Sequence, residues 1–402
     1  MTDYSAPQNS EELSNILRSC NEANRTLEVG GTFSKQSAGG TVFAADTRVS
    51  TCNLNQVIAY EPSDLTISVE AGLPYRDLTK ILAQNNQFLP LDPPFAENAT
   101  VGGVIATNGN GPRRRRYGTA RDVVIGMKFV TIEGKTIQSG GMVVKNVTGL
   151  DMGKLLIGSY GTLAVIAVVN FKVFPIPASQ LSVVFSAPTL ETLMSIRSII
   201  LRGAIQPRAI DLFNTEAASG WQLASTLNLD SYGLAVEVDG SPILIERCQR
   251  EFEAMTDEHP EVKVYPVAEE ESQVLWQKIQ ETTARLLSSN SDTYVIRLST
   301  LPTRIGAIFE VAETGGRTRP VIIRAGNGVG YIYSFGVKDA EECLAKAQKK
   351  ELLGVAEYIP VDSKSDFNSW PVVGSDLAIM KRIKNELDPQ NLLNRGRLFN
   401  RL

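Results

Sequence analysis

Along this chain the apolar positions change period several times, and the changes outline its elements. Leu13, Ile16 and Leu17 recur at helical spacing within SEELSNILRSCNEAN and predict an amphipathic helix over residues 10 to 24. A short strand, TLEV at 26 to 29, follows, and strand-like runs appear at Gln56 to Tyr60, Leu65 to Glu70, Val123 to Thr131 and Leu163 to Phe174. A helix over Tyr75 to Gln84 and long glycine-rich loops interrupt these strands. PIPAS at 175 to 179 then breaks the pattern with two prolines among small residues, and a domain boundary is expected there. From 180 to about 360 the strands LSVVFSA, GLAVEVDG, DTYVIRLST, PVIIRAG and GYIYSFG alternate with helices such as LETLMSIRSIILR and ESQVLWQKIQETTARLL. That alternation predicts an antiparallel sheet with helices on one face. The last segment, SDLAIMKRIKNELDPQNLLNRGRLF, reads as a helix ending in a proline turn and a polar tail that contains glycine. The expected class is α+β.

A length of 402 residues suits two domains, each large enough to bury its own core. Forty basic residues against 44 acidic ones leave a net charge of -4, so nothing in the charge points to a polyanionic partner such as nucleic acid. Cys20, Cys52, Cys248 and Cys343 lie far apart with no CxxC pair, which argues against a zinc site, an iron-sulfur cluster and a disulfide framework. The single histidine, His259, sits in TDEHPEV, the setting of a solvated loop. Functions that need a histidine base, a histidine metal ligand or a histidyl-linked cofactor are thereby disfavoured, and no metal is expected. The first residues, MTDYSAPQNSEEL, have neither a basic start nor an apolar run, and no stretch approaches the roughly 18 apolar residues of a membrane span. A cytoplasmic protein is expected.

Three segments carry candidate chemistry. In LEVGGTFSKQSAGG, residues 27 to 40, a strand runs into Gly30 and Gly31, whose small size lets successive backbone amides converge on phosphate oxygens; Thr32 and Ser34 add hydroxyls and Lys35 a charge. In LDPPFAENATVGGVIATNGNGPRRRRYGTARDVV, residues 91 to 124, Gly102, Gly103, Gly109, Gly111 and Gly118 fall close together beside Thr100, Thr107 and Asn108. A ligand lying against the backbone explains that density better than a plain surface loop. The pattern is not the nicotinamide fingerprint, because the strand-GxGxxG-helix unit with a following acidic residue is missing. In GGMVVKNVTGLDMGKLLIGSYGTLAVIAVVNFKVFPIP, residues 140 to 177, Gly161 opens an apolar strand that either backs a flat heteroaromatic ring or is simply buried.

The order and spacing of these three segments resemble the FAD-binding domain of the vanillyl-alcohol-oxidase and p-cresol-methylhydroxylase family. The resemblance implies a two-subdomain FAD-binding domain over 1–177, an α+β cap domain with an antiparallel sheet over 178–365, and a closing segment, 366–402, that returns to the first domain. It implies FAD contacts at Gly30, Gly31, Thr32, Phe33, Ser34 and Lys35, at Asp92 and Pro93, and at Thr100, Val101, Gly102, Gly103, Ala106 and Asn108. Further contacts are implied at Gly111, Tyr117, Gly118, Asp122, Gly161 and Ile166, and at Asn394 and Arg397 of DPQNLLNRGRLF, where Arg395 stands in place of the family's usual proline. Within the family the likeness is to the smaller FAD-binding subunits of bacterial glycolate oxidases. It implies oxidation of a small 2-hydroxy acid such as glycolate or D-lactate, with a larger FAD subunit and an iron-sulfur subunit as partners. Attachment to the inner membrane would be peripheral, through that complex.

Such an oxidation needs a cation for the substrate carboxylate, a base for the hydroxyl proton and the flavin as hydride acceptor. Arg297 in YVIRLST and Arg324 in VIIRAGNG lie in apolar strands, so each faces either a cleft, where it meets that carboxylate, or a carboxylate of the protein. No residue stands out as the base. With the only histidine outside the glycine segments and no cysteine in the flavin-contacting positions, the FAD is expected to be non-covalent. The run RRRR at 113 to 116 is either a solvated loop edge or a contact for phosphate or a partner. Two other functions stay open: a free-standing FAD-dependent oxidase of a sugar or alcohol, and a non-catalytic flavin-binding scaffold subunit.

Overall fold

The computed structural model describes residues 2–142, 151–221 and 227–402; the stretch 143–150 of the third glycine segment therefore lies outside the described residues. The chain forms two compact units, Met1–Asn110 with Tyr117–Ile176 and Val361–Leu402, and Gly111–Arg116 with Pro177–Pro360.

After the short strand Asp3–Ser5 the first unit forms the helix Ser10–Glu22, capped by the Asn9 side chain, which accepts from the Glu12 amide. Its buried Leu13 and Leu17 confirm the helical spacing of the sequence. A three-stranded parallel sheet follows, Thr47–Ser50 in the middle with Asp3–Ser5 and Leu27–Gly30 beside it. A five-stranded antiparallel sheet runs in the order Val57–Glu61, Thr66–Glu70, Val165–Lys172, Val124–Val130, Thr136–Gly140. Its central strand, Val165–Lys172, is buried on both faces. Val165 and Ala167 enter a core with Leu13, Leu17 and Val130, while Ile166 and Val169 enter a second core with Val104, Met127 and Phe129. Burial from two sides explains why this strand reads as an unbroken apolar run rather than as an alternation.

The chain's last residues complete the first core. Leu392 and Leu393 pack beside Leu27, the Leu27 amide donates to the Leu392 carbonyl at 2.8 Å, and the Asn394 amide donates to the Leu27 carbonyl at 3.0 Å. Lys384 of the helix Asp376–Leu387 anchors this arrangement from inside the protein. Its Nζ donates to the Thr162 and Leu393 carbonyls at 2.7 and 3.1 Å and pairs with Asp388, whose carboxylate also accepts from the Leu392 and Leu393 amides.

The second unit is an eight-stranded antiparallel sheet in the order Lys263–Val267, Ser179–Ala187, Tyr232–Gly240, Ala209–Asn214, Val321–Arg324, Val329–Phe335, Thr293–Ser299, Leu353–Tyr358. Helices cover both faces, which corrects the one-face expectation. Trp276 and Ser272 of the helix Glu269–Ser289 bond Ser182, whereas Phe252 of the helix Pro242–Glu258 packs on Phe185. Residues 182 and 185 of one strand point to opposite faces. The same opposition recurs at Tyr333, which bonds Thr283, and at Ser334, which meets Cys343 of the helix Val337–Lys349. Apolar spacing reports that a helix buries one side but not which side of a sheet receives it. Among the described residues no helix is long and apolar enough to cross a membrane.

Candidate functional site

One cleft of the first unit gathers the glycine segments. The strand Leu27–Gly30 delivers the first loop to it. A side chain on Gly30 would meet the Phe33 ring, and one on Gly31 would stand 2.3 Å from the Thr100 hydroxyl. Phe33 holds a positive φ of 55°, its ring under the Arg48 guanidinium at 4.5 Å. Among the described residues, the amides of Gly31, Thr32, Phe33 and Ser34 donate to no atom of the chain. Consecutive amides freed by a left-handed residue form a nest, the backbone arrangement that binds phosphate oxygens.

The second loop closes against the first. Thr100 caps the short helix Val101–Ala106 by accepting from the Gly103 amide, and Gly102 lies so near Ala71 that its amide donates to the Ala71 carbonyl at 2.7 Å. Lys35 crosses to the Thr107 hydroxyl at 3.1 Å, tying one loop to the other. The third segment docks on the same helix, with the Tyr160 amide donating to the Ala106 carbonyl at 2.8 Å; Gly161, at a φ of 70°, then turns the chain into the central strand.

Asn394 joins the closing tail to both flanks. Its Oδ1 accepts from the Val29 amide at 2.7 Å, and its Nδ2 donates to the Val29 and Tyr160 carbonyls at 3.0 and 2.9 Å. Arg397 donates to the Gln36 and Lys35 carbonyls at 3.2 and 3.0 Å, and burial pushes its guanidinium below the ordinary value. Arg395, which stands in place of the family's usual proline, reaches the Ala44 carbonyl at 2.9 Å, and the tail turns through Asn394 and Gly396 at positive φ.

Of the residues singled out in the sequence, Gly30, Gly31, Thr32, Phe33, Ser34, Lys35, Thr100, Gly102, Gly103, Ala106, Gly161, Ile166, Asn394 and Arg397 line this cleft. The others stand elsewhere. Val101 is in the core, and Asp92 is buried ahead of Pro93. Asn108 has a positive φ and a buried Oδ1 without a hydrogen-bond partner. Tyr117 packs edge-on against Phe88 and Phe174, and Gly118 gives room to Asp122, which completes a capping box with Thr119. Gly111 belongs to the second unit, as do Arg113, Arg115 and Arg116. Arg113 and Arg116 face Glu237 and Asp239 at 3.6 and 3.4 Å, and Arg115 reaches the Gly326 carbonyl, so the basic run is engaged by the chain's own polar groups.

Glu28, Thr107 and Tyr160 line the cleft without having been assigned to it from the sequence. Glu28 takes Gln36 at 2.7 Å and Arg48 at 2.8 Å, a partnership across loops that local sequence cannot reveal. Neither histidine nor cysteine lines the cleft; His259 ends the helix Pro242–Glu258, 3.7 Å from Glu261. Arg324 is buried against the fully buried Asp211, its cross-strand neighbour, and Arg297 pairs with Glu357 at 3.0 Å. Among the described residues no group of histidine, cysteine and carboxylate side chains could hold a metal ion. The nest, the close-packed glycines, the buried Lys35 and the half-buried Arg397 together fit a dinucleotide with a pyrophosphate.

Comparison with known proteins agrees. Residues 4–140 match the family described as FAD binding domain, and residues 365–398 the C-terminal domain of FAD linked oxidases. The chain is 24% identical to the glycolate oxidase subunit GlcD of Bacillus subtilis over 98% of its own length and 88% of that protein. It is 40% identical to the glycolate oxidase subunit GlcE of Escherichia coli over 127 residues, 31% of this chain and 36% of that one. A mitochondrial cytochrome-type D-lactate dehydrogenase of Arabidopsis thaliana is 24% identical over 98% of this chain and 72% of its own. Among solved structures, p-cresol methylhydroxylase superposes with a TM-score of 0.74 at 14% identity, covering 98% of this chain and 88% of that chain. An alkyldihydroxyacetonephosphate synthase gives 0.75 at 15%, covering 97% and 76%. Residues 4–140 thus match an FAD-binding domain and residues 365–398 the closing domain of FAD-linked oxidases, and the chain has the fold of p-cresol methylhydroxylase.

Proposed function

We propose that this protein is the FAD-binding subunit of a glycolate-oxidase-like 2-hydroxy-acid dehydrogenase that acts on glycolate or D-lactate and passes electrons to partner subunits. The observation that carries the reading is the extent of the similarity: the likeness to a glycolate oxidase subunit and to a D-lactate dehydrogenase runs through both units rather than through the cofactor domain alone. Bound FAD supplies the acceptor for the hydride that leaves the substrate's hydroxyl-bearing carbon. The nest of Gly31 to Ser34 and the loop at Thr100 to Gly103 would hold its pyrophosphate, Lys35 and Arg397 would offset the charge, and Gly161 and Ile166 would back the ring. The partners in this reading are a larger FAD subunit and an iron-sulfur subunit, and the likeness to two glycolate oxidase subunits supports a complex of several chains.

Arg297 and Arg324 are proposed to serve the substrate carboxylate in different ways. Asp211 already neutralises Arg324, whose guanidinium lies 5.6 Å from the Tyr331 ring, so its part is to keep the local charge balanced. Arg297 also has a carboxylate partner, Glu357 at 3.0 Å, but keeps about a third of its side chain exposed at 35% and is the better ligand. Arg297→Ala is expected to raise KM for the hydroxy acid on the order of 10- to 100-fold, the worth of a charge-assisted hydrogen bond, while the bound-flavin spectrum stays unchanged. Steady-state kinetics on the assembled complex reads this. An unchanged KM removes Arg297 from the site.

Anaerobic titration of the purified protein with glycolate and with D-lactate, alone and with its partner subunits, tests the reading. Bleaching of this subunit's flavin supports it; flavin that stays oxidised under every condition contradicts it. A second reading, a flavin-holding subunit whose chemistry resides in the larger partner, is favoured by the position of His259 outside the cleft. Reduction of the isolated chain by either acid rules it out.

A further inference from the structure

Lys364 is fully buried at 0% exposure in the closing segment of the first unit. Its Nζ donates to three successive carbonyls, those of Ala38 and Gly40 at 2.9 Å each and of Gly39 at 3.2 Å. An ammonium carries three donors, and all three are used. No carboxylate of the described residues pairs with it: Asp362 and Asp366 of its own segment are exposed, and the charge acting on it from the neighbouring tail is that of Arg397, another cation. Arg397 in turn holds the Lys35 and Gln36 carbonyls. Five carbonyls of the stretch that follows the phosphate nest are thus held by two cations of the closing segment. A surface lysine would lose nothing by staying in water, so burying this one makes sense only through what it grips.

We propose that Lys364 is a positioning residue of the flavin cleft: its ammonium gathers the Ala38, Gly39 and Gly40 carbonyls and holds the first glycine loop ready for the FAD phosphates. This rests on reading the cleft as the FAD site. A loop ordered beforehand binds its ligand without losing further conformational entropy. Burial, with Arg397 beside it, pushes Lys364 down to about 6. The three carbonyls favour the ammonium against that burial, so the charge stays where it can hold the loop.

The test is titration of the apoprotein with FAD, followed by flavin fluorescence, for the wild type, Lys364→Met and Ser369→Ala. Ser369 is buried in the same segment and bonds the Phe399 carbonyl, so its variant reports a purely structural loss. Lys364→Met is expected to raise the Kd for FAD on the order of 10- to 100-fold, the loss of hydrogen bonds to a charged group, with Ser369→Ala within about threefold of the wild type. Hydrogen exchange of the wild-type apoprotein needs no variant: the Ala38 and Gly40 amides should be protected before FAD is added, and their free exchange until FAD binds overturns the proposal even if Lys364→Met does not fold. Equal FAD affinity in wild type and Lys364→Met also overturns it, while a wild type that binds no FAD overturns the assignment of the cleft and the role of Lys364 together.

Discussion

Gly31→Val is expected to give a folded protein that holds FAD on the order of 100-fold more weakly than the wild type, read by equilibrium titration of flavin fluorescence. A Cβ on Gly31 falls 2.3 Å from the Thr100 Oγ1 and 2.6 Å from its Cγ2, and the branch of valine adds to that overlap. Thr100 cannot step aside, because its hydroxyl caps the helix that carries Gly102 and Gly103. The loop must therefore move, turning its amides away from the phosphates. Overpacking of this kind costs about 1–3 kcal/mol, and the upper end corresponds to the loss in affinity stated. Gly141→Ala is the matched control: nothing lies within 4 Å of its Cβ position, and the flavin should stay bound as in the wild type.

The second large effect is on stability. Asp388→Ala leaves the Lys384 ammonium buried without its carboxylate and strips the Leu392 and Leu393 amides of their acceptor. Breaking a buried pair from one side costs about 3–5 kcal/mol, which for a unit of this size lowers Tm by roughly 6–20 °C. Because that turn carries Asn394 to Val29 and Tyr160, the bound flavin should be lost early in the thermal transition. Differential scanning with simultaneous flavin fluorescence follows both events. A shift below about 2 °C would mean that the ion pair does not hold the tail in place.

Much of the first unit was legible because its signals are local. Leu13, Ile16 and Leu17 mark one helix face whatever lies beneath them, and crowded glycines mark backbone that must come close to something. The remainder depends on partners far along the chain. Lys364, Lys384 and Asp388 read as ordinary polar residues, yet all three are buried, because carbonyls and amides of distant loops satisfy them. The four arginines at 113 to 116 looked like a solvated edge or a phosphate contact, whereas Glu237 and Asp239, more than a hundred residues away, take two of them. Helices on both faces of the large sheet escaped notice for a related reason: Ser182 and Phe185 are both apolar-strand positions in sequence, and only the pleat sends them to different helices.

We propose that FAD is held without a covalent bond, in keeping with a cleft that no histidine or cysteine of the described residues lines. The direct measurement is the absorption spectrum of the purified protein before and after acid precipitation, with the released flavin identified by chromatography. A flavin spectrum, close to one FAD per chain in the supernatant and a colourless pellet are expected. A pellet that retains its yellow colour, or a protein that carries no flavin and binds none when FAD is added, would contradict it.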